Sequence, residues 1–102
     1  MTTYLLHGKL TAKSGHRQAL ADLLIEASQL VATAKGCKLY VVGFDQSDLN
    51  GVYITEIWES KADHDNSLNV EGVRALILKA MPLLDGQPTK GQEIELLGGA
   101  GL

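Results

Sequence analysis

A carboxylate, an indole and an imidazole fall close together in one stretch of this chain: Glu56, Trp58 and His64. A histidine titrates near neutrality and, paired with a carboxylate, serves as a general base. An adjacent indole would offer a flat apolar wall, although a tryptophan is more often core than catalytic, because it buries a large area wherever it fits. His64 stands in SKADHDNSL between Asp63 and Asp65, and taken alone that context favours an exposed helix histidine. The catalytic alternative turns on Glu56. It precedes Trp58 by two residues, so on a strand the two share a face with Ile54. If that face meets helices, Glu56 is a buried carboxylate that needs a partner, and His64 is the nearest candidate in sequence. If it meets a second copy of the chain, Glu56 pairs with a lysine there.

The other reactive residues carry less. His7 and His16 lie far from His64, and the three histidines have no metal-ligand spacing. The chain has no CxxC, HExxH or EF-hand loop, and its scattered glycines form neither GxGxxG nor GxxxxGK[ST]. Flavin, nicotinamide and metal are therefore not expected, and the expected cofactor is none. Cys37 reads as a small buried hydrophobe, with only Lys38 beside it to activate a thiol. Arg17, Lys35 and Lys61 read as solvated surface.

The elements that must position Glu56, Trp58 and His64 follow from periodicity. Residues 3–11 alternate as a first strand, broken at Ser14-Gly15. From His16, the recurrence of Ala19, Leu20, Leu23, Leu24, Ala27, Leu30 and Val31 predicts an amphipathic helix, with Gly36 suited to a left-handed position past its end. Residues 37–44 make a second strand, 45–51 a polar turn, and the β-branched and aromatic run 52–58 a third strand paired with it. Ser60 caps a short helix, with Asp63 three residues on. Asn69 is expected to cap the next helix, striped by Val70, Val73, Ile77, Ala80 and Leu84 and widened by Leu76 and Leu83. Pro82 should tighten or end its last turn. Residues 92–97 close the sheet, and the Gly98–Leu102 tail is expected to be loose.

The order β-α-β-β-α-β predicts a single α+β domain over residues 1–102, of the ferredoxin-like split βαβ type with an antiparallel sheet. With 102 residues and 45% hydrophobic residues, the chain can build a core without disulfide staples. The net charge of −3 offers no basic field for phosphate backbones, and no run resembles an RNA-binding motif. Nucleic acid and membrane are not expected partners, since no apolar run approaches the roughly 20 residues of a bilayer span. A start without a basic region and long apolar stretch predicts a cytoplasmic protein. The sheet poses one puzzle. On the third strand neither Tyr53/Thr55/Ile57 nor Val52/Ile54/Glu56/Trp58 is plainly polar, and the second strand sets Lys38/Tyr40/Val42/Phe44 against Cys37/Leu39/Val41. A sheet apolar on both sides predicts a homodimer formed through the face that the helices leave open.

The run ValTyrIleThrGluIleTrpGluSerLys at 52–61, continued by AlaAspHisAspAsnSerLeu at 62–68, resembles the antibiotic biosynthesis monooxygenase domain. Its pattern E-x-W-E-S, then a histidine, then a helix ending in proline-leucine, matches Glu56, Trp58, Glu59, Ser60, His64 and Met81-Pro82-Leu83-Leu84. LTAKSG at 10–15 and Gly36-Cys37 also fit. The resemblance implies a dimeric α+β barrel with a ligand cavity between sheet and helices. It also implies a cofactor-free monooxygenase that oxidises a small phenol or quinol with O₂.

In the polyketide-oxidising members a tryptophan and a polar ring residue line the cavity, at the places of Trp58 and His64. Their asparagine is Ile54 here and their arginine falls near Leu78, which argues against a polyketide substrate. The haem-degrading pattern meets Gly8, Ser67 and Ile77, which excludes that reaction. On this reading His64 and Glu56 are catalytic, and Trp58 and Ile54 contact the substrate. An isomerase or tautomerase using the same base, and a non-catalytic binder of a small aromatic metabolite, are the alternatives.

Overall fold

The structure, a computed structural model, describes residues 3–88 and 90–101. Strands β1 (Thr3–Thr11), β2 (Cys37–Phe44), β3 (Gly51–Trp58) and β4 (Gln92–Leu96) form one antiparallel sheet in the order β2-β3-β1-β4. Helix α1 (Arg17–Val31) connects β1 to β2. Helices α2 (Lys61–Asn66) and α3 (Val73–Ala80), each followed by a 3-10 turn (Ser67–Asn69 and Met81–Leu83), connect β3 to β4. This is the expected α+β ferredoxin-like architecture, with the second helical segment broken in two. Of the tail, Gly98–Gly101 are exposed, and Leu102 lies outside the described residues.

The helices cover one face of the sheet. Strand pairing puts Tyr4, Leu6, Gly8 and Leu10 of β1 on that face with Val52, Ile54, Glu56 and Trp58 of β3. Two groups of buried side chains anchor the layers. One joins Ala12, Leu20, Ala21, Val52, Ala80 and Leu84, and the other Tyr4, Val31, Trp58 and Val73. Glu56 therefore faces the helices, which decides between the two environments open to it in the sequence.

Several local expectations are corrected. On β2 a bulge between Cys37 and Leu39 shifts the register, so Cys37 shares the helix side with Tyr40 and Val42. An unbulged reading puts it opposite them, since one extra residue reverses the alternation. On α1 Ala19 is exposed and Ala21 is buried, so the buried stripe is rotated by part of a turn from its expected centre. Asn69 does not cap α3. Val70 is extended and Gly72, at φ +90°, precedes the first helical residue, while the Asn69 side chain accepts a hydrogen bond from Arg74 at 3.1 Å. The Ser60 cap forms as expected, its hydroxyl accepting from the Asp63 N–H at 3.1 Å. Gly36 is left-handed, and the Asp63 side chain occupies the space a Cβ would need there. Glycine is thus required twice over at this position, once for the backbone and once for room.

Candidate active site

Side chains from two elements, β3 and α2, converge on one oxygen. Glu56, near the end of β3, is 8% exposed, and its Oε1 accepts the Trp58 indole N–H at 3.1 Å. His64 on α2 places Nε2 3.8 Å from the same oxygen. That separation suits an ion pair but exceeds a hydrogen bond, and catalytic contacts of this kind often tighten only when substrate is bound. The imidazole lies near two aromatic rings. Its centroid lies 5.4 Å from the Tyr4 ring and 6.0 Å from the Trp58 ring, which it meets edge to face.

The other imidazole nitrogen has a partner of its own. Asp65 Oδ1 lies 3.0 Å from His64 Nδ1. A carboxylate accepts and does not donate, so it favours the tautomer with the proton on Nδ1 and leaves the Nε2 lone pair free. The sequence names Glu56 as the nearest partner for His64 and assigns Asp65 no role. The structure places Asp65 at Nδ1 and Glu56 beside Nε2. The Ser67 hydroxyl donates to the His64 carbonyl and ties the end of α2 to the following turn.

Burial pushes the Glu56 carboxyl above its ordinary range, against the lowering effects of His64 and the indole N–H. Burial and then the Glu56 charge also raise Tyr40, which keeps its hydroxyl protonated across the physiological range. Tyr4 is pushed up to about 12, by burial and then by its hydrogen bond to Glu93 Oε2 at 2.9 Å. Burial likewise raises the Cys37 thiol, which disfavours the thiolate.

Glu56 and His64 open onto a cavity of about 240 Å³ between sheet and helices. Tyr40 and Ser67 also border it, and the remaining wall is almost wholly aliphatic, from Leu10 and Leu24 to Leu76 and Ile77. Two expected contacts fall elsewhere. Trp58 is fully buried in the core beneath Glu56, not on the cavity wall, because its N–H is turned to the carboxylate and its ring packs with Tyr4, Val31 and Val73. Ile54 shares the helix-facing side but borders a smaller hollow of about 140 Å³ with Leu6, Gly8 and Gly91, on the other side of Glu56. Leu78 points away at 72% exposure, while Ser67 and Ile77 do border the main cavity. Among the described residues no three His, Cys, Asp or Glu side chains gather as metal ligands. Among them, too, no helix is long and apolar enough to cross a membrane.

The family model described as antibiotic biosynthesis monooxygenase matches residues 3–77. The chain belongs to this family. A solved candidate antibiotic biosynthesis monooxygenase from Chloroflexus aurantiacus J-10-fl is 34% identical, with 97% of each chain covered and a TM-score of 0.86. A Nitrosomonas europaea protein of unknown function is 27% identical over 97% of this chain and 93% of its own, with a TM-score of 0.77. A Pseudomonas aeruginosa protein at 24% identity, covering 96% of this chain and 97% of its own with a TM-score of 0.83, shares the fold. No curated protein matches the chain. Family membership supports a general monooxygenase-like role. In this family member, the buried carboxylate, the oriented imidazole and the aliphatic cavity are the features available for such chemistry.

Proposed function

We propose that the chain is a cofactor-independent monooxygenase that oxidises a small phenol or quinol with O₂ in the cavity bordered by Glu56 and His64. One observation carries this reading: an imidazole whose Nε2 is free, beside a buried carboxylate, at the polar end of an otherwise aliphatic cavity. The phenol proton passes to His64 Nε2, and Asp65 and Glu56 stabilise the imidazolium. The phenolate supplies the electrons. One passes to O₂, and coupling of the two radicals forms a bond between oxygen and a ring carbon. The imidazolium returns its proton to the peroxide. Loss of the proton on that ring carbon, with cleavage of the O–O bond, leaves a ring carbonyl and releases water. Phenol and O₂ thus give quinone and water, one oxygen atom in each. The protein contributes deprotonation, positioning and a dry site.

An O₂-electrode screen of quinols, catechols and anthrones tests the reading, with ¹⁸O₂ to follow the label. Uptake with one labelled atom in the quinone supports it. Rearranged product without O₂ uptake points to an isomerase or tautomerase, and tight binding without turnover to a metabolite-binding module. Either result removes the proposal.

The same reading includes a homodimer through the open face of the sheet. There Leu39, Ile57, Leu5 and Ile94 form one apolar row across all four strands, with Leu39 37%, Ile94 42% and neighbouring Val41 48% exposed. Apolar surface of this continuity favours a partner, and obligate interfaces commonly bury more than about 2,000 Å². Sedimentation at micromolar concentration should give a species near twice the 10.9 kDa chain mass. A single species at the chain mass would contradict it.

A further inference from the structure

Few polar side chains border the cavity, namely Tyr40, Glu56, His64 and Ser67, and the exposed part of its lining is apolar. Leu68, Ile77 and Met81 all border it, yet they are 42%, 40% and 48% exposed. They form an apolar rim between the 3-10 turn after α2, α3 and the turn that follows α3. Glu56, at 8% exposure, lies at the sheet floor. The buried floor thus carries a carboxylate, and the exposed lining carries only apolar side chains.

Size narrows the occupant further. An apolar cavity of roughly 150 Å³ accommodates benzene. The 240 Å³ here exceeds what one ring fills, and the excess lies along aliphatic wall that offers no hydrogen bond. A fused polycyclic ligand carrying polar groups on several rings would meet that wall with unpaired polar atoms, at a desolvation cost.

We infer that the substrate is a single-ring phenol or quinol with an aliphatic substituent, whose ring sits at the Glu56–His64 end and whose substituent leaves between Leu68, Ile77 and Met81. This rests on the oxidation proposed above and adds its substrate class. The hydroxyl takes the polar end, and each methylene beyond the ring exchanges water for aliphatic contact.

Titration calorimetry with a 4-alkylphenol series from ethyl to pentyl tests the inference without requiring turnover. In the wild type each added methylene should tighten Kd by about threefold to fourfold, the factor expected for burying one methylene. In the doubly substituted Leu68→Gln/Met81→Gln chain, with its fold checked by circular dichroism, each step should shrink below about twofold. A Kd that is flat along the wild-type series, a failure of every member to bind, or an unchanged slope in the rim variant overturns the inference. O₂ uptake on the same series separates it from the parent reading. A steep slope without O₂ consumption removes the oxidation and leaves the substituent site, whereas O₂ consumption with a flat slope does the reverse.

Discussion

Thr55 and Glu56 are neighbours on β3 and point to opposite faces of the sheet, and each has a histidine beside it. On the open face Thr55 Oγ1 lies 2.9 Å from His7 Nδ1, and the His7 ring stacks on Tyr53 at 5.1 Å. On the covered face Glu56 Oε1 stands 3.8 Å from His64 Nε2. The residue types look alike, but only one pair borders the main cavity. His7 meets a neutral hydroxyl on an uncovered sheet, where the hydrogen bond only fixes a ring. His64 meets a carboxylate that burial has raised, at the edge of an aliphatic cavity, with Asp65 selecting its free nitrogen. Burial, far more than the presence of a histidine, separates a fastened side chain from a candidate base.

The largest way to break this contrast is at Trp58, which supports the covered pair from beneath. Trp58→Ala should cost about 3–5 kcal/mol in chemical denaturation, as expected for removing a fully buried indole. Trp58→Phe keeps most of the packing but removes the N–H that Glu56 accepts. A hydrogen bond to a charged group is worth about 1.5–3 kcal/mol, so a loss in that range is expected. A loss below about 0.5 kcal/mol would mean that the indole N–H does not support the carboxylate.

A pH series sharpens the same point. The folded-state value of Glu56 is raised above its ordinary 4.5, so within the window between the two values the folded protein binds more protons than the unfolded chain. The contribution of Glu56 to stability is therefore most favourable below that window and falls as pH climbs through it. Glu56→Gln should remove this decline from the stability profile. Glu93 and Asp45 behave in the opposite sense. Both are lowered to about 2, Glu93 first by its hydrogen bond from Lys90 and Asp45 first by the Ser47 backbone N–H. Their contribution is present above the ordinary carboxylate range and is lost as pH falls toward 2, a loss that Glu56→Gln should leave in place. The smallest effect belongs to the open face. Thr55→Val deprives His7 of one neutral partner where water can substitute, and should cost no more than about 1 kcal/mol by denaturation.

The fold was legible because alternation and helical spacing agree along most of the chain, and β3 in particular reads as a strand from composition alone. The proximity of Glu56 and His64 was half legible: the spacing puts Glu56 on the Trp58 face of β3 and the Ser60 cap fixes the start of α2, but which face meets the helices stayed open in the sequence. Other features depend on tertiary geometry. The bulge at Cys37–Leu39 leaves no distinctive residue behind, and the left-handed Gly72 shifts the start of α3 past the asparagine that looked like its cap. Asp65 lies next to His64 in a charged stretch, where an acid is ordinarily solvated, and only the ring orientation set by Tyr4 and Trp58 turns Nδ1 toward it. Trp58 shows the converse. Its type suggested a cavity wall, but an indole with a carboxylate two residues away on the same face found its hydrogen bond within the core.

The most direct test compares O₂ consumption by the two histidine variants, using a phenol that the wild type oxidises. His64→Ala should lower turnover by about 10²–10⁴-fold, the range for losing a general base, with the fold intact by circular dichroism. His7→Ala should stay within a few-fold of the wild type. Full turnover in His64→Ala would contradict the account, leaving Glu56 or unaided ionisation of the substrate to take the base's place.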